Sequence, residues 1–276
     1  MNVLVIGGGN MGMTYAEAIA KSNFLTAGSL MIIDQSKEKR DELRATGLFE
    51  VHDQLDTCLS RADVVLIAVK PVHAAALMKE MKPLISTEQL FVSIMAGVTI
   101  DTIKQGLDAV KVVRAMPNLP AQVGLGMTSF TGSDEVSRLE LAAIEQLLDT
   151  TGRSINLTSE SEIDASTGIS GSGPAYIFYF MQAMMDAALK MGFDQHDARL
   201  LVGQTFAGAV ELFNESTLSP EDWMERVASK GGTTRAALDS MDENNVNALI
   251  QEAAYAAFRR AEELGKQTKG TEAKDG

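Results

Sequence analysis

A strand-forming run, Val3-Leu4-Val5-Ile6, passes without a spacer into Gly7-Gly8-Gly9-Asn10-Met11-Gly12, and helical register follows in Thr14-Tyr15-Ala16-Glu17-Ala18-Ile19-Ala20. No other feature constrains the fold of this chain as tightly. In a G-x-G-x-x-G turn the first glycine permits the tight reversal and the second lets backbone approach a pyrophosphate. The third lets helix pack on strand, and the helix N-terminus offers N–H groups to the anion. Glycine turns also arise for steric reasons alone, but here both flanks are those the motif requires. A second apolar run, Leu30-Met31-Ile32-Ile33, ends in Asp34. That is close to the roughly 20-residue spacing at which a carboxylate meets the ribose hydroxyls. A dinucleotide site is therefore expected at the N-terminus.

From residue 1 to about 158, short apolar runs alternate with helical patterns, which is the signature of an α/β fold with a doubly wound parallel sheet. Strands are expected at Val3–Ile6, Leu30–Ile33, Val64–Val69, Leu90–Ile94, Lys111–Ala115, Met127–Thr131 and Ser154–Leu157. The third of these is apolar on both faces, as a central parallel strand must be. From Ser159 onward helical periodicity replaces the β pattern, so we place a boundary there, with a dinucleotide-binding domain at 1–158 and an all-α domain at 159–276. Within the second domain Gly168-Ile169-Ser170-Gly171-Ser172-Gly173-Pro174 is expected to break the first helix. Further helices are expected at Ala175–Met191, Asp194–Asn214, Pro220–Ala228, Thr234–Met241 and Asn245–Gly265, followed by a disordered tail at 266–276. The stripe Phe178, Met181, Met184, Met185 and Leu189 is too broad for a solvent face and reads as core or subunit interface rather than a cofactor box.

A length of 276 residues with 45% hydrophobic content allows one large domain or two smaller ones. The formal net charge of −13 argues against a nucleic-acid partner, which needs a basic face. Cys58 stands alone and cannot form an internal disulfide, and the N-terminus runs straight into a strand, which points to a reducing cytoplasm. The longest apolar stretch, Ala175–Leu189, is interrupted by Gln182 and Asp186 and falls short of the roughly 20 residues a membrane span needs.

The second informative segment is Ser229-Lys230-Gly231-Gly232-Thr233-Thr234, leading into the helical Arg235-Ala236-Ala237-Leu238. Two glycines ahead of a helix expose consecutive N–H groups, and the hydroxyls add donors, which suits a small anion. Alone, the segment reads equally as a helix N-cap after a glycine turn. Lys70-Pro71 after one strand and Met116-Pro117-Asn118-Leu119-Pro120 after another lie where open α/β sheets bind ligands, at strand carboxyl ends. His52, His73 and His196 stand in polar or helical-surface contexts and read as surface histidines. HExxH, cysteine clusters and a G-x-S-x-G elbow are absent from the sequence, which argues against metal or serine-hydrolase chemistry. What remains is a reaction whose difficult step belongs to the cofactor.

Together with Ala228–Thr234, the segments Ile6–Gly12, Ala68-Val69-Lys70-Pro71, Arg114–Pro120 and Gly168–Tyr176 make the chain closely resemble the pyrroline-5-carboxylate reductases over roughly residues 1–265. The resemblance implies reduction of L-1-pyrroline-5-carboxylate to L-proline by hydride from NAD(P)H, the last step of proline biosynthesis. It implies a Rossmann-type N-terminal domain and a C-terminal helical dimerisation domain interlocked with a second subunit, the active site at the dimer interface and dimers often assembled into rings. By the same resemblance, Ser229 and Gly231, Gly232, Thr233 and Thr234 would hold the substrate carboxylate, with Thr234 on the ring nitrogen; Ser229 and Thr234 are the catalytic candidates. Gly7, Gly9, Asn10, Met11, Gly12, Asp34, Ala68, Val69, Lys70, Ala96 and Asn118 would meet the cofactor. The residue after Ser229 is often proline in that family and is Lys230 here, and Leu119 replaces a usual threonine. Many members use NADPH and carry a small polar residue where Asp34 stands. A carboxylate there repels a 2′-phosphate and favours NADH, unless Lys37, Lys39 and Arg40 compensate.

Two rival readings keep the same cofactor site. A related imine or β-hydroxyacid reductase would differ after Ser229, and the latter needs a lysine on the first long helix of the helical domain, for which Lys190 is the nearest candidate. A non-catalytic dinucleotide-binding protein would have no need of the Ser229–Thr234 segment.

Overall fold

The computed structural model describes residues 1–25 and 29–271, with side chains as far as Gly265. Strands β1 (Val3–Ile6), β2 (Leu30–Ile33), β3 (Glu50–His52), β4 (Val64–Ile67), β5 (Leu90–Ser93), β6 (Lys111–Met116), β7 (Gly126–Gly132) and β8 (Gly152–Asn156) form one sheet. Its order is β3-β2-β1-β4-β5-β6-β7-β8, so the winding reverses between β1 and β4 and opens a crevice at their carboxyl ends. Helices α1 (Asn10–Lys21), α2 (Lys37–Thr46), α3 (Ala74–Met81), α4 (Ile100–Leu107), α5 (Arg138–Leu148) and α6 (Glu160–Ser166) accompany it.

Alternate strand residues serve opposite faces, because side chains in a strand repeat every second residue. Leu4, Ile6, Val65, Ile67 and Phe91 pack with Met78 and Met81 of α3 and Ile103 and Leu107 of α4. Val3, Val5, Leu66 and Val92 pack with Tyr15 and Ile19 of α1 and Ile144 and Leu147 of α5. Burial on both faces explains why the central strands read as unbroken apolar runs.

Two strand expectations need correction. The sheet is not parallel throughout: β6 and β7 are antiparallel, with Ala115 opposite Phe130. They are joined through a single 3-10 turn at Leu119–Val123, and a parallel return would need a crossover of about a dozen residues or more. The strand β3 was not expected, because Glu50-Val51-His52 carries no apolar run. Its order comes from pairing with the edge of β2, Met31 opposite Glu50 and Ile33 opposite His52.

The chain divides into two compact units, Met1–Ser172 with Ala256–Gly276, and Gly173–Tyr255. The second contains α7 (Gly173–Lys190), α8 (Gln195–Asn214), α9 (Pro220–Val227), α10 (Thr233–Glu243) and the first part of α11 (Val246–Thr271). The glycine-serine segment does separate α6 from α7, as a π-helical turn, Thr167–Gly171, in which the Ser172 N–H reaches the Thr167 carbonyl at 2.8 Å. Helix α11 continues to Thr271, past the expected stop at Gly265, through residues of good helix propensity such as Lys266, Gln267 and Lys269. The remainder of the expected disordered tail, 272–276, lies outside the described residues. On α7 and α8, Phe178, Tyr179, Met184, Leu200, Leu201 and Phe213 are exposed. The α7 stripe is thus not core within a single chain.

A buried ion cluster fixes α6 to the sheet. Arg114 of β6 is 4% exposed and donates to Glu160 at 3.2 Å and Asp164 at 2.5 Å, while Glu160 also accepts the Ile100 N–H at 3.0 Å. Removing the guanidinium leaves two partly buried carboxylates facing each other without compensation. Arg114→Met is expected to lose about 3–5 kcal/mol of unfolding free energy in denaturant titration; a loss under about 1 kcal/mol would show that the cluster does not hold α6.

Candidate functional site

Each glycine of the N-terminal turn has a distinct steric task. Gly7 has a φ of +104°, and a Cβ there would lie 2.8 Å from the Ala68 carbonyl oxygen. A Cβ on Gly12 would collide with the Gly7 carbonyl oxygen and stand 3.0 Å from the Ala68 Cβ. Gly9, by contrast, has nothing within 4 Å of a Cβ position. The turn is thus tight at its first and third glycines and open at its second, where the pyrophosphate of a dinucleotide would lie.

Helix caps sharpen the picture. The side chains of Ser36, Thr99, Ser137, Ser159, Asp194 and Ser219 cap α2, α4, α5, α6, α8 and α9. Helices α1 and α10 begin instead at Gly9 and Gly232, which supply no side-chain cap. The N–H groups of Asn10 and Met11 in α1, and of Thr233 and Thr234 in α10, find no acceptor among the described residues. Each end can therefore take an anion with its donors and the positive end of its dipole.

Beside the first of these ends lies a cavity of about 750 Å³, bordered by Gly7, Gly9, Asp34, Ala68, Val69 and Lys70 of the expected cofactor set. Gln35, Arg40, Leu55, Leu77 and His73 complete parts of its wall. Apart from Arg40, none of these stands out in the sequence as a wall residue, though all follow β2, β3 or β4, and position after a strand is the one signal for them. Asp34 Oδ2 accepts the Gly8 N–H and Oδ1 the Ser36 N–H, both at 2.8 Å, so the carboxylate is locked at the end of β2. Two of the three nearby cations are otherwise engaged, while Lys37 is exposed and has no ion-pair partner among the described residues. Lys39 pairs with Glu42 at 2.6 Å, and Arg40 donates to Asp53 and to the carbonyls of Asp34 and Gln35.

Ala96 is exposed in the turn after β5, and Asn118 starts the turn after β6. The Asn118 amide is largely spent on the protein, donating to the Ser170 carbonyl at 3.0 Å and accepting the Met127 N–H at 2.9 Å. It ties the π turn to β7. His73 borders the cavity and His196 is exposed, whereas His52 is half-buried in β3, its ring 3.0 Å from the Thr57 hydroxyl and 3.1 Å from Glu50. Burial pushes the Cys58 thiol up to about 11, which keeps it unreactive at neutral pH.

In the second unit, the Gly232 N–H donates to the Ser229 carbonyl at 3.0 Å and Gly231 has a φ of +73°. The Ser229 hydroxyl lies against Gly232, where a Cβ would strike it. Ser229, Lys230, Gly231 and Thr233 are exposed, and Gly232 and Thr234 half-buried. One short loop thus gathers the second group of expected residues, and the first unit gathers the other.

Comparison with known proteins places these features. Residues 160–264 match the family model for pyrroline-5-carboxylate reductase dimerisation, and residues 2–97 match that for NADP oxidoreductase, coenzyme F420-dependent. A pyrroline-5-carboxylate reductase of Pseudomonas aeruginosa is 35% identical over 96% of this chain and 97% of its own length. The solved pyrroline-5-carboxylate reductase of Coxiella burnetii is 32% identical with a TM-score of 0.88, covering 95% of this chain and 98% of that one. The Plasmodium falciparum enzyme, solved with NADP bound, is 26% identical with a TM-score of 0.83, covering 96% and 98%.

The two kinds of glycine predict separable defects. Gly9→Ala is expected to unfold within about 0.5 kcal/mol of the parent yet bind dinucleotide about tenfold more weakly or worse. Gly12→Ala is expected to lose about 1–3 kcal/mol of stability by overpacking. Calorimetric titration with the cofactor and denaturant melts measure both, and a Gly9→Ala variant with full affinity would remove the pyrophosphate from this turn.

Proposed function

The chain belongs to the pyrroline-5-carboxylate reductase family, and from that premise we propose that it reduces L-1-pyrroline-5-carboxylate to L-proline with NADH as the preferred cofactor. Similarity at 35% identity across nearly the whole length of a reductase carries the activity. The open Gly9, the uncapped start of α1 and the adjoining cavity fit a dinucleotide. A nicotinamide cofactor bound there supplies the hydride.

The protein's own residues bind and orient. Gly7, Gly9, Asn10, Met11 and Gly12 receive the pyrophosphate, with Ala68, Val69, Lys70 and Ala96 along the strand ends and Asn118 offering the N–H that Ser170 leaves over. Ser229, Gly231, Gly232 and Thr233 hold the substrate carboxylate on backbone N–H groups and hydroxyls. Thr234 hydrogen-bonds the ring nitrogen. A cyclic imine is protonated at nitrogen by solvent, so hydride addition at the imine carbon completes proline without a histidine acid. Holding the ring at both its carboxylate and its nitrogen is the protein's main contribution, because orientation removes much of the entropic barrier.

The preference for NADH is supported by the charges around Asp34. A 2′-phosphate beside its locked carboxylate meets repulsion, and Lys39 and Arg40 are committed to Glu42 and Asp53. The exposed apolar side chains of α7 and α8 support a homodimer with interlocked helical domains, which can build rings of dimers. No helix among the described residues is long and apolar enough to cross a membrane. With one buried thiol, the protein is assigned to the cytoplasm.

Steady-state oxidation of NADH and NADPH with L-1-pyrroline-5-carboxylate tests the activity and the preference together. Turnover with a higher kcat/KM for NADH is expected, and Asp34→Ser should shift that ratio toward NADPH by about tenfold. Cofactor binding without turnover would point to another imine or carbonyl substrate. Thr234→Ala is expected to lower kcat by about tenfold to a hundredfold while the cofactor Kd stays within about twofold. Equal losses in both would remove Thr234 from the ring nitrogen.

A further inference from the structure

The loop after α9 carries a charge that the proposed backbone carboxylate site does not by itself require. The Ser229 carbonyl accepts the Gly232 N–H at 3.0 Å, which closes a four-residue turn with Lys230 and Gly231 at its centre. Gly231 has a φ of +73°, and Lys230 is not among the residues of positive φ. That combination defines a type II turn, where the third position needs glycine and the second favours proline. Proline would pre-set φ without losing a hydrogen bond, because the Lys230 N–H has no acceptor among the described residues. Lysine forgoes that stiffening and contributes an ammonium group.

This ammonium is exposed and forms no ion pair among the described residues. The next cations along the chain are occupied: Arg235 is paired with Glu225 at 2.8 Å, and Arg226 lies 5.4 Å over the Trp223 ring. Glu221, Asp222, Asp239, Asp242 and Glu243 flank the loop in sequence, in a chain of net charge −13. An anionic substrate approaching such a surface is repelled, and a cation at the tip of the turn reverses the local field.

We propose that Lys230 is a specificity-determining residue for the reaction, drawing the substrate carboxylate onto the N–H groups of Thr233 and Thr234 and favouring carboxylated ring imines over neutral ones. The inference rests on the reading of Ser229–Thr234 as the carboxylate site. Lys230 acts by charge and leaves the hydride and the ring nitrogen to other groups, so its effect falls on KM for the imine.

Lys230→Pro removes the charge while stiffening a turn whose backbone it suits; Lys230→Met removes the charge without that stiffening, and Lys230→Arg retains the charge. At low ionic strength the first two are expected to raise KM for L-1-pyrroline-5-carboxylate about three- to tenfold, with kcat and KM for NADH within about twofold. The difference should fade as salt approaches about 1 M, where the Debye length shrinks to about 3 Å. Lys230→Arg should behave as the parent, and thermal melts should show all variants folded. Parental KM in both neutral variants, or a salt-independent defect shared by Lys230→Arg, overturns the role of Lys230 while the parent's turnover upholds the reductase. A parent protein without turnover on this imine overturns both.

Discussion

Everything at the N-terminal site depends on how closely α1 approaches the sheet. The Gly12 Cα stands so near the Gly7 carbonyl that no side chain can separate them, and Ala68 at the end of β4 bounds the same contact. This approach seats Tyr15, Ala16 and Ile19 in the apolar layer over β1 and β4. It also leaves the first turn of α1 above the crevice where the strand order reverses. A larger residue at the third glycine would lift the helix, and the donors at its start would no longer point to one place.

At the starts of α2, α4, α5, α6, α8 and α9 a serine, threonine or aspartate satisfies N-terminal donors, each such cap stabilising by about 1 kcal/mol. Helices α1 and α10 start at glycine and forgo that contribution. Their exposed donors are a local loss of stability that a bound anion can offset. The fold tolerates this because its rigidity comes from elsewhere, from two apolar layers and from the Arg114 cluster that ties α6, β6 and the start of α4 together.

Ion pairing near Asp34 illustrates why charge in a sequence is not charge at a site. Lys37, Lys39 and Arg40 follow Asp34 closely and could neutralise a phosphate if their side chains turned toward it. In the folded chain Lys39 meets Glu42 one helical turn on, as i,i+3 neighbours do, and Arg40 reaches Asp53 beyond β3. The second of these depends on β3, a strand that sequence pattern does not announce. Lys230 is the converse case, a lysine without an ion pair among the described residues although acidic residues crowd its neighbourhood in the chain.

The doubly wound α/β domain, the glycine turn and the family are legible in the residues alone, whereas the glycine-threonine segment before α10 reads there equally as a capped helix start. These are local: strand burial, steric room at a glycine and helix caps are set by residues a few positions apart, so pattern and spacing carry them. The antiparallel return at β7, the edge strand β3, the π form of the turn between α6 and α7 and the half-buried position of His52 emerge on folding. Folding also sets the Asn118 amide against the protein and pairs Arg40 with Asp53. The strand pairings, the Asn118 bonds and the Arg40–Asp53 pair join residues far apart in the chain, and such partners are chosen by packing of the whole unit, which no local stretch of residues encodes.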